Sequence, residues 1–385
     1  MSHRILFTIE SLFPLGAAQQ LKLLADSLVR QGCEIHVAVL GEFAFEPDQW
    51  TQTGVEVHFL NADDKTPLHT ARDAFYVVKE LRNLIHDVVP TIVHSWCGRA
   101  ELLTLLATGE FPLARSLLKP LKRFRLLSTE LFLQPEKRLM RQTVENRMAE
   151  RVERMIVPHE SVKMHLVENG YREPRISIVP NAVSSPDPPI DHAQARKNVL
   201  ARLELPETTY LAGAVAPLIH RSRLKDLIWA TDLLTCIRED FHFVIIGTGP
   251  QLRRLKRFAA LTEAKAHVHF LGHPERAERI VAGLDFYWHS HLRDPLSGNL
   301  LAAMADGVPV ISVYGEGTKE IIRHQETGFA VNFGARDEFA RWTKFLIERP
   351  EPAQKLARQG QEFVCRHFDV ATMVDGYLAI YDLAD

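Results

Sequence analysis

The sequence lacks the features that mark disulfide-rich, metal-clustered or membrane-spanning proteins. Its 385 residues include only 4 cysteines, which form no C-x-x-C pair, and this argues against zinc ribbons, redox motifs and a disulfide framework. No window reaches about 18 uninterrupted apolar residues, and the N-terminus MSHRILFTIE lacks the charged and apolar regions of a signal peptide. We therefore expect a cytoplasmic protein that is neither exported nor inserted in a membrane.

An excess of charge is also missing. The formal net charge is −2, so composition gives no reason to expect nucleic-acid binding. One short basic run, KPLKRFR at residues 119–125, has two interpretations. It is either a solvated loop or a surface that meets an anionic lipid or acceptor, which would allow peripheral contact with the inner face of the membrane.

What the sequence does contain is a regular alternation of short apolar runs and longer amphipathic stretches. Such strands, apolar on both faces, favour a parallel sheet covered by helices. A helix is predicted over residues 17–30, with Leu21, Leu24, Ala25 and Leu28 on one face. The first set of predicted strands lies at residues 4–10, 34–40, 55–60, 91–96 and 124–129, and near Met155 and Ile176.

After Pro180 the segment NAVSSPDPPIDHA breaks both periods and is predicted to be a linker. A second cycle follows, and two doubly wound α/β domains are implied. Its strands are predicted at residues 210–218, 241–247, 267–272, 285–290, 308–313 and 328–333. The tail is predicted to be a final helix whose apolar stripe is formed by Val370, Met373, Val374, Tyr377, Ile380 and Tyr381.

The order of motifs resembles the family 4 (group 1) glycosyltransferases over most of the chain. RILFTIESLFPLGAAQQLKLLADSL is similar to the opening strand, glycine-containing loop and helix of that family, and SIVPNAV is similar to its "IPNGV" strand. KDLIWATDLL and FHFVIIGTGPQLRRL follow in the expected order. LLAAMADGVPVISV with EGTKEIIRHQETGFAVNFG resembles the "EAMA-GVPV…GG..E…G-TGFLV" block, which is the most specific of these signals.

This resemblance implies a GT-B fold, in which two Rossmann-like domains face a cleft. We predict an acceptor-side domain at 1–183, a nucleotide-sugar domain at 184–366 and a helix at 367–385 that packs back on the first domain. The resemblance also implies transfer with retention, from a nucleoside-diphosphate sugar to a glycan or lipid-linked acceptor. No metal and no other cofactor is implied.

The positions where that family supports the departing diphosphate are altered. Negative charge develops on that group, so an enzyme without a metal supplies cations or helix N-termini there. The family uses an Arg and, five residues later, a Lys, and these places fall on Pro217 and Ser222. Two nearby cations, Arg221 and Arg223, could reach the same phosphate. The alternative is that both are solvated surface charges.

A pair of family glutamates is altered as well. The first, near the donor sugar, falls on Asp294, or on Arg293 if the alignment is counted forward from Ser290, and the second falls on Ala302. Asp294 is the predicted catalytic carboxylate. Four residues, Ser297, Gly298, Asn299 and Leu300, lie where a loop enters a helix, so their N–H groups could bind the donor phosphate. An ordinary N-cap explains Asn or Ser at such a place equally well. Glu320 matches a family loop near the donor, with helix-start chemistry as the alternative.

In the first domain the family loop reads Gly16, Ala17, Ala18, Gln19, and Gly16 and Ala17 are predicted to lie near the donor phosphate and the acceptor. His94 ends a strand and is a candidate catalytic residue, with a structural role as the alternative. His289 and His291 form an H-x-H that has the spacing of metal ligands. No third ligand is positioned by the sequence, and we predict no metal.

Three functions compete. The first is a retaining glycosyltransferase, and the second is a degenerate relative that binds a glycan, a nucleotide or a partner enzyme without transferring sugar. Pro217, Ser222 and Ala302 favour the second. The third, a GT-B epimerase acting on a nucleotide sugar, fits the fold but not the motif order.

Overall fold

The computed structural model describes most of the chain, and everything below concerns that part. The described residues are 3–12, 16–41, 48–60, 71–110, 120–121, 124–131, 151–183, 190–272, 274, 277–291, 298–315 and 317–383. They divide into two compact units, the first comprising Met1–Ala182 with Val370–Asp385 and the second Val183–Asp369. Each unit is an α/β domain built on one parallel sheet.

Unit 1 contains a seven-stranded sheet in the order β3-β2-β1-β4-β5-β6-β7. Its strands are β1 (Arg4–Ile9), β2 (Glu34–Val39), β3 (Glu56–Phe59), β4 (Ile92–Trp96), β5 (Arg125–Thr129), β6 (Arg154–Val157) and β7 (Ile176–Ile178). Its helices are α1 (Ala17–Arg30), α2 (Asp48–Thr51), α3 (Ala71–Val88), α4 (Gly98–Thr108) and α5 (Glu160–Glu168), and the terminal helix returns to this unit.

Unit 2 contains a six-stranded sheet in the order β10-β9-β8-β11-β12-β13. Its strands are β8 (Tyr210–Val215), β9 (Phe241–Ile246), β10 (Val268–Gly272), β11 (Phe286–His289), β12 (Val310–Val313) and β13 (Phe329–Val331). Its helices are α6 (His192–Arg202), α7 (Leu224–Thr235), α8 (Leu252–Ala259), α9 (Ala277–Ala282), α10 (Gly298–Ala305), α11 (Thr318–Ile321), α12 (Arg336–Glu348) and α13 (Pro350–His367).

The strand order reverses once in each sheet, between β1 and β4 in unit 1 and between β8 and β11 in unit 2. Open α/β sheets bind ligands in the crevice that such a switch point opens at the carboxyl ends of the strands. The loops that follow these four strands are therefore the first places to look for a site.

The terminal helix α14 (Val370–Tyr381) belongs to unit 1. Four residues of its predicted stripe, Met373, Val374, Tyr377 and Tyr381, are buried in the same core as α1. Arg125 donates hydrogen bonds to the carbonyls of Ile380 and Tyr381 and so caps the helix. The helix begins at Val370 and not at 367, because Phe368 and Asp369 bond to Val183 in unit 2.

One clamp fixes the chain where it leaves unit 1. The buried amide of Gln20 on α1 donates to the carbonyl of Ala182 at 2.9 Å and accepts from its N–H at 2.8 Å. Residues 184–189 of the predicted linker lie outside the described residues. Within the described part of the chain, no helix has the length and apolar character needed to cross a bilayer.

Candidate functional site

The loop after β8 carries the altered family positions, and it is held firmly. The N–H groups of Ala216 and Leu218 donate to the carbonyls of Ile246 and Thr248, at 3.0 and 2.8 Å. Gly247 makes this approach possible, since a Cβ added there would lie 2.0 Å from the carbonyl oxygen of Ala216. Its φ of 142° is also one that other residues rarely adopt. The loops after β8 and β9 therefore form one rigid edge.

Pro217 and Ser222 bond to each other across this loop. The Ser222 hydroxyl donates to the Pro217 carbonyl at 2.5 Å, and the Ser222 carbonyl accepts from the Ser290 hydroxyl at 2.6 Å. Ser222 is 1% exposed, whereas Pro217 lies on the surface. The serine thus closes a short 3-10 turn, His220–Ser222, at a place where the family carries a lysine.

The two arginines beside Ser222 differ in what they contact. Arg223 has a φ of 52°, bonds to Asp226 through two nitrogens at 2.7 and 2.6 Å, and lies over the Phe333 ring. Asp226 also pairs with Arg336 at 2.9 Å. Arg221 is exposed, and its side chain forms no ion pair or hydrogen bond with any described residue. Of the two predicted phosphate ligands, only Arg221 is therefore available.

His289 ends β11, which pairs with β8, and His291 follows two residues later; each has a buried ring nitrogen. His289 Nδ1 is 3.0 Å from the Ser312 hydroxyl, while His289 Nε2 and His291 Nδ1 have no partner among the described residues although both atoms are buried. Burial, with His291 as a lesser cause, lowers the pKa of His289 to about 3. Burial and then the charge of Arg221 lower the pKa of His291 to about 4. Both rings are neutral at pH 7 and can each offer a nitrogen to a ligand.

Helix α10 begins at the same switch point. Its first three residues are Gly298, Asn299 and Leu300, whose N–H groups have no acceptor within the helix. The Asn299 amide reaches the carbonyl of Val215 at the end of β8, at 3.5 Å, and so ties the helix start to that strand. Leu300 is fully buried, so it can offer a ligand only its backbone. Asp294 and Ser297, together with Arg293, lie outside the described residues.

The remaining predicted donor positions lie further along the same sheet. Glu320 is exposed on α11, a helix of four residues that begins where the Thr318 hydroxyl donates to the Val313 carbonyl at 2.8 Å. Ala302 lies in the middle of α10 and is partly exposed. Alanine at this place offers no carboxylate.

In unit 1, Gly16 directly precedes α1 and has a φ of 63°, a value that requires glycine for an unstrained turn. Ala17 is the first residue of the helix, and no side chain among the described residues caps it. The first backbone N–H groups of α1 therefore lie beside the unit 1 switch point.

His94 lies in the middle of β4 and not at the end of a strand, and its surroundings favour the structural alternative. It is fully buried, and its Nε2 and Nδ1 bond to the hydroxyls of Thr129 and Tyr381 at 2.8 and 2.7 Å. Burial lowers the pKa of His94 to about 3. Trp96 and Tyr377 pack against its ring. A neutral imidazole with both nitrogens occupied holds α14 in place and has no free atom for a substrate, so the structural alternative is the better description.

The sequence reasoning missed an ion pair at the unit 1 switch point. Glu10, just after β1, and Arg99, in the first turn of α4 after β4, approach to 2.6 Å, and each is nearly half exposed. Cys97 directly precedes α4, and its φ of 73° turns the backbone into that helix. Their positions in the sequence could have indicated this pair, because each charged residue comes soon after a strand and the two strands are neighbours in the sheet.

The only group of three metal-type ligands among the described residues is His36, Glu56 and His58 in unit 1. His289 and His291 do not form such a group in that part of the chain. Asp294, which follows them in the sequence, lies outside it.

Comparison with known proteins gives two family matches. The family described as glycosyl transferases group 1 matches residues 195–363, and the family described as glycosyltransferase family 4 matches residues 15–185. The first range lies in unit 2 and the second lies almost entirely in unit 1. Together they include the unit 2 switch point and, in unit 1, β4 but not β1.

Individual relatives are similar over part of their length. Putative glycosyltransferase EpsD of Bacillus subtilis is 32% identical over 162 residues, 41% of this chain and 42% of that protein. Lipopolysaccharide core biosynthesis glycosyltransferase LpsE of Rhizobium meliloti is 24% identical over 47% of this chain and 52% of that protein. The 2-deoxystreptamine glucosyltransferase of Streptomyces kanamyceticus is 27% identical over 56% of each. The chain thus spans about half the length of these relatives.

Solved structures agree in fold over nearly the whole chain. Anabaena Alr3699/HepE in complex with UDP and glucose has a TM-score of 0.79 at 18% identity, covering 99% of each chain. WaaG, a glycosyltransferase involved in lipopolysaccharide biosynthesis, has a TM-score of 0.72 at 13% identity, covering 98% of this chain and 99% of that one. The predicted GT-B class, with its two Rossmann-like domains, is confirmed at the level of fold.

Proposed function

Because this chain belongs to the group 1, or family 4, glycosyltransferases, we propose that it transfers a sugar from a nucleoside-diphosphate sugar to a glycan or lipid-linked acceptor, with retention. Reaction at a lipid-linked acceptor would take place at the inner face of the membrane. Residues 119, 122 and 123 of the basic run that would meet such a surface lie outside the described residues.

The observation that carries the proposal is the set of unused groups at the unit 2 switch point. Arg221 has no acidic partner among the described residues, and two buried imidazole nitrogens, on His289 and His291, have no hydrogen bond there. Leaving a buried polar group unpaired costs about 1–3 kcal/mol, so such atoms call for a ligand. An anion with hydroxyl groups, such as a nucleotide sugar, suits a cation and neutral imidazoles together.

Each group has a role that its chemistry fits. Arg221 would contact the diphosphate, which gains negative charge as the sugar departs, and the N–H groups of Gly298, Asn299 and Leu300 would share that charge. The neutral imidazoles would hydrogen-bond to hydroxyl or phosphate oxygens. Asp294 would lie near the donor sugar, and Glu320 would contact the donor from α11. We expect Gly16 and Ala17 of unit 1 to lie near the acceptor and the phosphate.

The names of similar proteins support a sugar donor of this class without identifying it. One relative is a glucosyltransferase, and the Anabaena HepE structures contain UDP with glucose or UDP-glucose. UDP-sugars are therefore the first donors to test. The cation and helix N-terminus offered by unit 2 would allow the transfer step to proceed without a metal.

The second candidate function is nucleotide or glycan binding without transfer. It is favoured by the turn in which Ser222 bonds to Pro217, because this turn occupies the place of two expected cations, and by Ala302, which provides no carboxylate. If Arg221 does not replace those cations, the donor would bind weakly and the bond to the sugar would remain intact.

Calorimetric titration with uridine, guanosine, adenosine and thymidine diphosphates and their sugars, followed by a donor-hydrolysis assay, separates these functions. We expect micromolar affinity for one nucleotide series and release of free sugar. Binding without turnover would favour the degenerate binder, and epimerised donor would favour an epimerase. Failure to bind any nucleotide would rule out both catalytic functions.

A further inference from the structure

A compact group of three ligand-type side chains lies on neighbouring strands of unit 1. His36 of β2 is directly paired with Glu56 of β3, and His58 is two residues further along β3, paired with Ala38. Side chains that are two residues apart on a strand point to the same face. The parallel register therefore brings His36, Glu56 and His58 together, although 22 positions separate the two histidines in the chain.

The distances between these atoms suit a metal ion. His36 Nδ1 lies 3.1 Å from His58 Nε2 and 3.3 Å from Glu56 Oε2. All three atoms lie within 4.8 Å of one another. In a tetrahedral zinc site with bonds of about 2.0–2.1 Å, neighbouring ligand atoms are about 3.3–3.4 Å apart. The separations around His36 Nδ1 are close to that value.

A second carboxylate holds His36 in the orientation that such a site needs. His36 Nε2 lies 3.0 Å from Glu34 Oε1, and Arg4 Nε lies 2.7 Å from the same oxygen. When Glu34 accepts the Nε2 proton, His36 Nδ1 keeps its lone pair for a ligand bond. Metal-binding histidines commonly donate their other nitrogen to a carboxylate in this way, which fixes the tautomer and the ring plane.

The exposure of the three residues leaves one position open. His36 is 5% exposed and His58 is half-buried, while the Glu56 side chain is 65% exposed. Water can occupy a fourth position on the exposed side.

A matched arrangement in unit 2 lacks the carboxylate. His242 on β9 lies 2.8 Å from His269 on β10, and His269 pairs with Val244, two residues after His242. Where Glu56 stands in unit 1, unit 2 has His267, which bonds to the Phe241 carbonyl at 2.9 Å. Asp240 is paired with Arg238. The two pairs therefore differ in the one ligand that carries negative charge.

We propose that His36, Glu56 and His58 bind one divalent ion of the zinc class, with water as the fourth ligand and Glu34 orienting His36. Binding displaces the proton that His36 Nδ1 and His58 Nε2 otherwise share. The ion ties β3, the edge strand of the sheet, to β2. It thereby stabilises the outermost strand of unit 1 by mass action.

The test uses tag-free full-length protein stripped of metal by a chelator and then freed of the chelator. Titration with Zn²⁺ in a calorimeter should give one tight equivalent per chain, and Co²⁺ should give the intense visible absorption of a tetrahedral site. His58→Gln and Glu56→Gln, at half-buried and exposed positions, should each weaken Zn²⁺ binding at least tenfold. Glu34→Gln should weaken it roughly 10–100-fold.

His269→Gln is the matched control, because it alters the unit 2 pair and should leave Zn²⁺ affinity within twofold of the parent. Circular dichroism shows whether each variant is folded. The proposal is wrong if the parent shows no stoichiometric site. It is also wrong if folded His58→Gln and Glu56→Gln keep the parent affinity, or if His269→Gln loses it to the same degree.

Discussion

His94 in unit 1 and His289 in unit 2 occupy related places in the two sheets and have different surroundings. Each lies on the strand across the switch point, β4 or β11, and each bonds to a hydroxyl on the next strand, Thr129 or Ser312. The other nitrogen of His94 bonds to Tyr381 of the terminal helix, whereas that of His289 has no partner among the described residues. A buried histidine is therefore structural when both of its ring nitrogens are bonded within the chain, and available to a ligand when one of them is not.

Terminal helix α14 accounts for this difference. It supplies Tyr381 to His94 and Tyr377 to Thr129, and both phenols are buried in the unit 1 core. Burial raises the pKa of both phenols, so they remain neutral hydrogen-bonding groups at any physiological pH. His94 of β4 and Thr129 of β5 are thereby bonded by side chains of the chain's own terminal helix. No described element does the same for His289 in unit 2.

The largest effect on stability is expected when the side chain of His94 is removed. In His94→Ala two buried hydroxyls lose their acceptor or donor and the aromatic cluster gains a cavity, so we expect the free energy of unfolding to fall by about 3–5 kcal/mol. Tyr381→Phe, which removes one hydroxyl without a cavity, should cost about 1–3 kcal/mol. Calorimetry measures both changes. A His94→Ala protein of parent stability but without activity would return His94 to the catalytic role.

The second largest effect on stability is expected for a substitution in the loop after β8 of unit 2. Ser222 is buried and bonds in two directions, so Ser222→Lys forces a charged chain into a filled site and should destabilise the protein by about 2–4 kcal/mol. Pro217→Arg changes an exposed residue and should alter stability by no more than about 0.5 kcal/mol. Chemical denaturation compares the two.

Titration of Pro217→Arg with nucleoside diphosphates tests whether an arginine at this position, as in family members, strengthens nucleotide binding. Tighter binding of a nucleoside diphosphate would show that unit 2 has kept its donor site and lost only part of its charge. Unchanged or weaker binding would show that the surrounding loop no longer directs this position toward phosphate.

The pH dependence of stability should be steep because of the same buried histidines. The folded-state pKa of His94 is about 3, below its ordinary value of 6.5, so the folded protein excludes a proton that the unfolded chain binds. Its contribution is fully present above pH 6.5 and is lost as the pH falls from 6.5 toward 3. Lowering the pH from 7 to 5 should cost about 2 kcal/mol through His94 alone.

Unfolding of the parent and of His94→Gln at pH 7, 6 and 5 isolates that contribution, since glutamine does not titrate and its amide can still bond to the same hydroxyls. The variant should show a shallower loss of stability toward acid pH. Equal slopes would mean that the ring of His94 titrates normally and is not sealed in the core.

The strands were predictable because their apolar runs are short, bounded and buried on both faces. The helix predicted at residues 17–30 has the bounds observed for α1, while the strand predicted at residues 210–218 ends at Val215. It ends early because Pro217 has no N–H to donate and the following turn is closed by Ser222. Local pattern thus specified the elements, and side-chain bonding set where they end.

The site was less predictable because its residues are brought together by the fold. His94 and Tyr381, which form a hydrogen bond, are 287 positions apart in the sequence, and no local pattern predicts that pairing. Arg221 and Arg223 look alike in the sequence, and only the positive φ of Arg223 and its bonds to Asp226 separate them. His36, Glu56 and His58 escaped notice for the same reason, since only strand register makes them neighbours.

The smallest effects are expected for Arg221 and Arg223, which also give the sharpest comparison within unit 2. If Arg221 contacts the donor diphosphate, Arg221→Ala should weaken nucleoside-diphosphate binding roughly 10–100-fold with little change in stability, since a hydrogen bond to a charged group contributes about 1.5–3 kcal/mol. Arg223→Ala should instead lower stability by about 1–2 kcal/mol, because Asp226 keeps only Arg336 as a partner. Its nucleotide affinity should change less than threefold. The opposite pattern would mean that the loop rearranges when the nucleotide binds, and that Arg223 leaves Asp226 to reach the phosphate.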